Sequence, residues 1–297
     1  MFHTFDEIEK YVLDKKIVKK VALCGAHDEP ALSAVVDAKR KGIISAVLIG
    51  NEPEIKEILA SLNESPDDYE IINEPDEQLA AALAIKMVKE GKVDFPMKGL
   101  MMTSSYMKAV LNKETGILPE GNVISMCTVF EYPDQNKLMI VTDCAVNITP
   151  DIDAKVKIIE NSVKVAKALG IDMPKVACLS ALEKVNPKIA STVDADELSK
   201  MPWKDCVVEG PFALDNAVSE EAAKHKGIES SVGGKADVLL CSCLDMGNVI
   251  HKSINYFAHL KMAGTICGAN SPVIMTSRTD SPETKYYSIL VAILLSI

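Results

Sequence analysis

The alternation of strand-like and helix-like segments over residues 19–98 constrains this chain more than any other feature. "KKVALCGA" reads as a strand. "EPALSAVVDAKRKG" follows, with apolar residues at helical spacing and a closing glycine. "ISAVLIGN", "EPEIKEILASL", "DYEIINE", "PDEQLAAALAIKMVKEG" and "VDFPMKG" repeat the rhythm. Strands joined by single helices over short connections predict a parallel sheet with right-handed crossovers. Such sheets bind ligands beyond the carboxyl ends of their strands. Residues 25–28, residues 50–52 and the segment from Lys98 onward are therefore the places to look for chemistry.

The remainder of the chain changes character near residue 125. "NVISMCTVFEYP" and "NKLMIVTDCAVNITP" read as an antiparallel pair across a polar turn, and strand–helix units resume after a long helix from Ile152 to Gly170. The expected organisation is one α/β domain with a parallel sheet from residues 1–124 plus 275–297, and a second α/β domain from 125–274. A length of 297 residues suits two domains.

A formal charge of −10 argues against nucleic acid or an anionic membrane as the main partner, since both require a basic face. A small anionic substrate needs only a local group of cations. The opening "MFHTFDEIEKYVLDKK" has neither the basic head nor the apolar core of a signal peptide. "SILVAILLSI" is shorter than the roughly 20 residues of a membrane span and reads as a buried or interface helix. A cytoplasmic location is expected. The 8 cysteines are scattered, and the lone Cys241-x-Cys243 lacks the further ligands that zinc requires. "LCGAHDEPAL" is not a dinucleotide fingerprint, and "VGGKAD" lacks the first glycine and the hydroxyl of a P-loop.

Two segments carry candidate chemistry. "MKGLMMTSSYMKAVL" places Lys98, Gly99, Thr103, Ser104 and Ser105 at a helix start, with Lys108 further along it. Hydroxyls there serve as N-caps. Equally, free N–H groups and the helix dipole suit a phosphate. "PVIMTSRTDSPETK" leaves an apolar strand and presents Ser277 and Arg278 beside Asp280 and Glu283. An arginine fork binds phosphate oxygens in pairs; the alternative is a loop arginine paired with Asp280 or Glu283.

The ordered set "KGLMMTSSYMKAVL", "VTDCAVNI", "GPFALDNAVSEEAAKHKGI", "ADVLL", "GNVIHKS" and "PVIMTSRTDS" resembles the phosphate acetyl/butyryltransferase family from about residue 94 onward. Length and the "MKG…SYMKAVL" form are most similar to its butyryl-transferring members. The resemblance implies the exchange acyl-CoA + phosphate ⇌ acyl phosphate + CoA, with an acetyl-preferring enzyme or a catalytically silent CoA-binding protein as alternatives. It implies a two-domain α/β fold with an inter-domain cleft, like that of isocitrate and isopropylmalate dehydrogenases, and a homo-oligomer. No metal and no cofactor beyond CoA as substrate is implied.

Carried onto this chain, the family pattern makes Ser277 an oxyanion donor and Arg278 a phosphate ligand. Lys98, Gly99, Thr103, Ser104, Lys108, Asn248 and Lys252 become substrate contacts. Acetyl-specific relatives place an acid seven residues after the serine; here Thr284 stands there. Glu283, then Asp280, are the substitute bases. Lys108 replaces an arginine of those relatives, and Asp215 is either a family contact or a helix-end ion pair.

Overall fold

The computed structural model describes all 297 residues, which divide into two compact units. The first comprises residues 5–122 and 263–297, the second residues 1–4 and 123–262. No helix is long and apolar enough to cross a membrane.

The first unit opens with α1 (Phe5–Asp14) and continues through β1 (Lys19–Cys24), α2 (Glu29–Arg40), β2 (Ile44–Gly50), α3 (Glu52–Ser61), β3 (Glu70–Asn73), α4 (Glu77–Lys89), β4 (Phe95–Lys98) and α5 (Thr103–Val110). The four strands are parallel in the order β3-β2-β1-β4. This is the alternation read from the sequence. In the register of β1 and β4, Cys24 lies opposite Lys98, so both strands finish at one level. Pro30 and Pro53 stand in the first turns of α2 and α3, where a missing N–H costs nothing.

The second unit contains β5 (Ser125–Tyr132), β6 (Lys137–Thr142), α6 (Ile152–Ala168), β7 (Lys175–Leu179), α7 (Ala190–Ser199), β8 (Val207–Phe212), α8 (Leu214–Val218), α9 (Glu220–His225), β9 (Val238–Leu240) and α10 (Leu244–Tyr256). Its strands run in the order β5-β6-β9-β7-β8. β5 and β6 are antiparallel, as their polar turn predicts, and the other pairs are parallel. The loop after β6 is organised by Asp143. Its Oδ1 accepts N–H bonds from Met126, Ala145 and Val146, and its Oδ2 accepts from Asn147. α10 packs directly on this loop. A Cβ at Gly247 would overlap the Asp143 carbonyl oxygen and lie 2.8 Å from its carbon, so only glycine fits.

β10 (Met262–Cys267) and α11 (Pro282–Leu294) complete the chain. The boundary falls at Ala263 rather than at 275. The reason is local: β10 and the segment after it bond to the first unit. The Gly264 N–H donates to Ser288 Oγ at 2.9 Å, and Ile274 bridges Met97 in parallel. α11 is the terminal apolar segment, buried from Thr284 to Leu294. Each of its fully buried Ile and Leu side chains contributes about 1.5–3 kcal/mol of transfer free energy. Tyr287 on α11 stacks on Phe5 of α1, ring centroids 4.4 Å apart.

Candidate active site

The first unit brings two distant segments to one end of its sheet. The Ile274 N–H donates to the Pro96 carbonyl and the Lys98 N–H to the Ile274 carbonyl, each at 3.0 Å. The chain after Ile274 therefore runs alongside β4 and delivers Thr276 to Asp280 beyond the same carboxyl edge as Lys98. The Tyr106 hydroxyl donates to the Ile274 carbonyl at 3.3 Å and ties α5 to this segment.

Gly99 is required by backbone approach. A Cβ there would overlap the Gly25 carbonyl oxygen and lie 3.1 Å from that of Cys24. Across this contact the Gly99 N–H donates to Cys24 and the Leu100 N–H to Gly25, both at 2.8 Å. Gly25 itself has φ +69°. The loops after β1 and β4 are thus laid backbone on backbone.

None of the hydroxyls in "MMTSS" caps α5. The N-cap is Met102, without a side-chain cap bond, and its own N–H donates to Glu77 Oε2 at 2.8 Å. Thr103 and Ser104 are the exposed first residues of the helix, and their N–H groups have no intrahelical acceptor. The Arg278 Nη2 sits 3.1 Å from the Met102 sulfur, so its guanidinium stands at this helix end. Arg278 is exposed and has no carboxylate within ion-pair distance. The alternative of a loop arginine paired with Asp280 or Glu283 is therefore not realised.

Asp280 instead shapes the loop. Its buried Oδ2 accepts the Ser277 N–H at 2.7 Å, while Oδ1 is shut away with no partner. The Ser277 hydroxyl lies 3.0 Å from Thr279 Oγ1. Lys285, which no sequence motif marks, points back from the first turn of α11. Its Nζ donates to Thr276 Oγ1 at 3.0 Å and to the Ser277 carbonyl at 2.9 Å. Its only sequence signal is a lysine heading an otherwise apolar helix.

Three cations, Lys98, Lys285 and Arg278, gather here with the carboxylates of Asp28 and Asp280. Burial, then the charges of Lys285 and Arg278, push the Lys98 pKa down, against opposing pulls from Asp28 and Cys24. Burial also lowers Lys285, opposed by Asp28 and Asp280. The Cys24 thiol is pushed up to about 12 by burial and is no nucleophile.

Glu283 is not brought to this group. Its carboxylate accepts the Tyr287 hydroxyl at 2.6 Å and lines a surface cavity of about 730 Å³ with Asp6, Glu9, Arg40 and Lys41. Thr284 is buried within the cap of α11: Ser281 Oγ accepts its N–H at 3.1 Å. Lys108 is exposed in the last turn of α5, four residues after Ser104 and so on the same face. Asn248 and Lys252 belong to the second unit, one turn apart on α10. Asp215, also in that unit, pairs with Lys226 at 3.2 Å.

Residues 74–293 match the model of the phosphate acetyl/butaryl transferase family. The chain belongs to this family. It is 46% identical to a phosphate butyryltransferase of Clostridium acetobutylicum, over 100% of this chain and 99% of that protein. It is 43% identical to a phosphate acetyltransferase of Thermotoga maritima, over 91% and 93%. Among solved structures, a branched-chain phosphotransacylase from Enterococcus faecalis superposes with TM-score 0.84 at 31% identity, covering 94% of this chain and 99% of that one. The fold is accordingly that of the phosphotransacylases, an α/β fold of two compact units.

Proposed function

We propose that this protein exchanges a short acyl group, butyryl foremost, between CoA and phosphate. The observation that carries the reading is the group of Lys98, Lys285 and Arg278 beyond one sheet edge. None of the three has a carboxylate within ion-pair distance, and Arg278 stands at the start of α5, where no hydroxyl caps the helix. Three cations without carboxylate partners suit a small anion. The full-length likeness to a phosphate butyryltransferase supports phosphate as that anion and butyryl as the acyl group.

In this reading Arg278 holds two phosphate oxygens with its fork, and the N–H groups of Thr103 and Ser104 hold another. Lys98 supplies fixed charge from below. A phosphate oxygen attacks the thioester carbonyl carbon, the new C–O bond forms, and the C–S bond breaks. Ser277, on a backbone fixed by Asp280 and Lys285, donates to the carbonyl oxygen as it gains charge.

The proton carried by hydrogen phosphate ends on the departing thiolate. In reverse, the thiol proton goes to the phosphate released. Atoms and charge balance without a protein base. This suits a site where Glu283 serves Tyr287 and the free oxygen of Asp280 is closed to solvent. Rate then comes from proximity and charge stabilisation. Asn248 and Lys252 are assigned to the CoA side on family resemblance, with Lys108 a weaker phosphate contact. The protein is read as a cytoplasmic homo-oligomer that needs no metal and no cofactor beyond its CoA substrate.

The test is phosphate-dependent CoA release from acetyl-, propionyl-, butyryl- and isobutyryl-CoA. Highest kcat/KM with the four-carbon substrates is expected. An absence of phosphate-dependent release from all four refutes the reading.

A further inference from the structure

Three lysines of this chain are buried, and they are not alike. Lys155 is 4% exposed and is satisfied by Asp194 at 2.5 Å, as a buried charge ordinarily must be. Lys285 is 1% exposed, yet its ammonium contacts only two neutral oxygens, Thr276 Oγ1 and the Ser277 carbonyl. Lys98 is 2% exposed, and its ammonium has a single neutral acceptor, the Gly99 carbonyl at 3.3 Å. Neither has a carboxylate within 4.0 Å. Asp28 and Asp280 act on them only from further away. Asp280 also commits one oxygen to the Ser277 N–H.

Both acceptors of Lys285 lie on the strip of chain that carries Ser277 and Arg278. The ammonium thus does two things at once. It pins the backbone on which the anion-binding arginine stands, and it leaves a positive charge under that loop with no carboxylate in contact. Leaving two lysines so is costly for the free protein and is relieved by an anion.

The geometry points to Lys285 as a positioning residue for phosphate: it anchors the 276–278 strip so that Arg278 meets the anion, and its charge, with that of Lys98, gains a further compensating anion when phosphate is bound. The inference deepens the proposed exchange reaction and rests on it. Two consequences follow. Phosphate alone, without an acyl donor, stabilises the protein. Phosphate affinity falls as pH rises through the lowered lysine pKa values, because the charge is present below them and lost above. The charged and titratable groups acting on this pair are Asp28, Cys24, Arg278 and Asp280.

The experiment compares wild type with Lys285→Met, which matches the length of the stem without the charge, and Lys285→Arg, which keeps the charge. Inorganic phosphate is the probe. In Lys285→Met the KM for phosphate should rise about tenfold or more, the loss expected for one hydrogen-bonded charge. The KM for butyryl-CoA should change less than about twofold, as for a side chain that does not touch it. The phosphate-induced rise in thermal midpoint seen in wild type should vanish, and Lys285→Arg should recover part of both effects. Removing the neighbouring charge lets the Lys98 pKa rise, so the alkaline loss of phosphate affinity should begin at higher pH in Lys285→Met than in wild type.

A purely structural lysine would raise both KM values alike and leave that onset where it was; this pattern overturns the proposal. If Lys285→Met does not fold, the wild-type profile decides. A phosphate KM flat up to the ordinary lysine range, about 10.4, overturns it, and a rise well before that range supports it. If wild type shows neither phosphate-dependent turnover nor phosphate-induced stabilisation, the exchange reading fails and the proposal with it. If wild type shows both and Lys285→Met leaves them unchanged, the assignment of Lys285 alone is lost.

Discussion

Gly99→Ala probes the contact that holds the two sheet-edge loops together. The added Cβ would overlap the Gly25 carbonyl oxygen and meet the Gly25 carbon at 2.9 Å and the Cys24 oxygen at 3.1 Å. All three are backbone atoms, so no side chain can swing away, and the loops must part by roughly 1 Å to restore contact distance. Parting strains two backbone hydrogen bonds of 2.8 Å, Gly99 to Cys24 and Leu100 to Gly25. Each is worth about 1 kcal/mol net. Overpacking adds about 1–3 kcal/mol. A loss of about 3 kcal/mol is expected, a sizeable part of the 5–15 kcal/mol typical of folded proteins.

The comparison is Gly42→Ala. Gly42 has φ +73° and open space around its missing side chain, so only the dihedral penalty of about 1 kcal/mol applies. Urea unfolding followed by far-ultraviolet circular dichroism should show Gly99→Ala unfolding at clearly lower urea than Gly42→Ala. Because Lys98 adjoins the displaced residue, Gly99→Ala should also lower kcat/KM by up to about 10²-fold. Equal urea midpoints for the two variants, with normal turnover in Gly99→Ala, would refute the argument.

The other predictions concern the carboxylates and the second unit. Glu283→Gln should give a pH–rate profile parallel to wild type, because its carboxylate serves Tyr287; a defect that shrinks at high pH would restore it as a base. Asp280→Asn should lose about ten- to a hundredfold in turnover at every pH, since the Ser277 N–H exchanges a charged acceptor for a neutral one. A pH-dependent loss in that variant would instead assign it proton transfer. Gly247→Ala should destabilise the protein by about 1–3 kcal/mol through its overlap with the Asp143 carbonyl, read by the same urea titration.

Much of this was legible in the sequence because it is local. Strand–helix alternation over residues 19–98 and the antiparallel pair around residue 135 follow from periodicity within short windows. The terminal apolar run became a buried helix for the same reason. Ser277, Arg278 and Lys98 were singled out by residue type, although about 180 positions separate them. Their meeting depends on the parallel bridge from Met97 to Ile274, which no local pattern announces.

The misjudged features share a cause. Adjacency along the chain favours Glu283 over Asp280 as a base. The cap at Ser281 starts a helix there, and the carboxylate of Glu283 is turned to Tyr287. The hydroxyls of "MMTSS" suggested a cap that the backbone of Met102 fills without them. Lys285 escaped notice because a lysine is almost never buried without a partner.

Turnover of Arg278→Ala with phosphate and butyryl-CoA tests the central claim most directly. Arg278 is the exposed cation at the start of α5 and has no carboxylate partner to lose, so its removal leaves the fold intact. The account predicts a loss of about 10²–10³ in kcat/KM, the effect of deleting one preorganised donor, with little recovery in Arg278→Lys. Near-normal turnover in Arg278→Ala would contradict it.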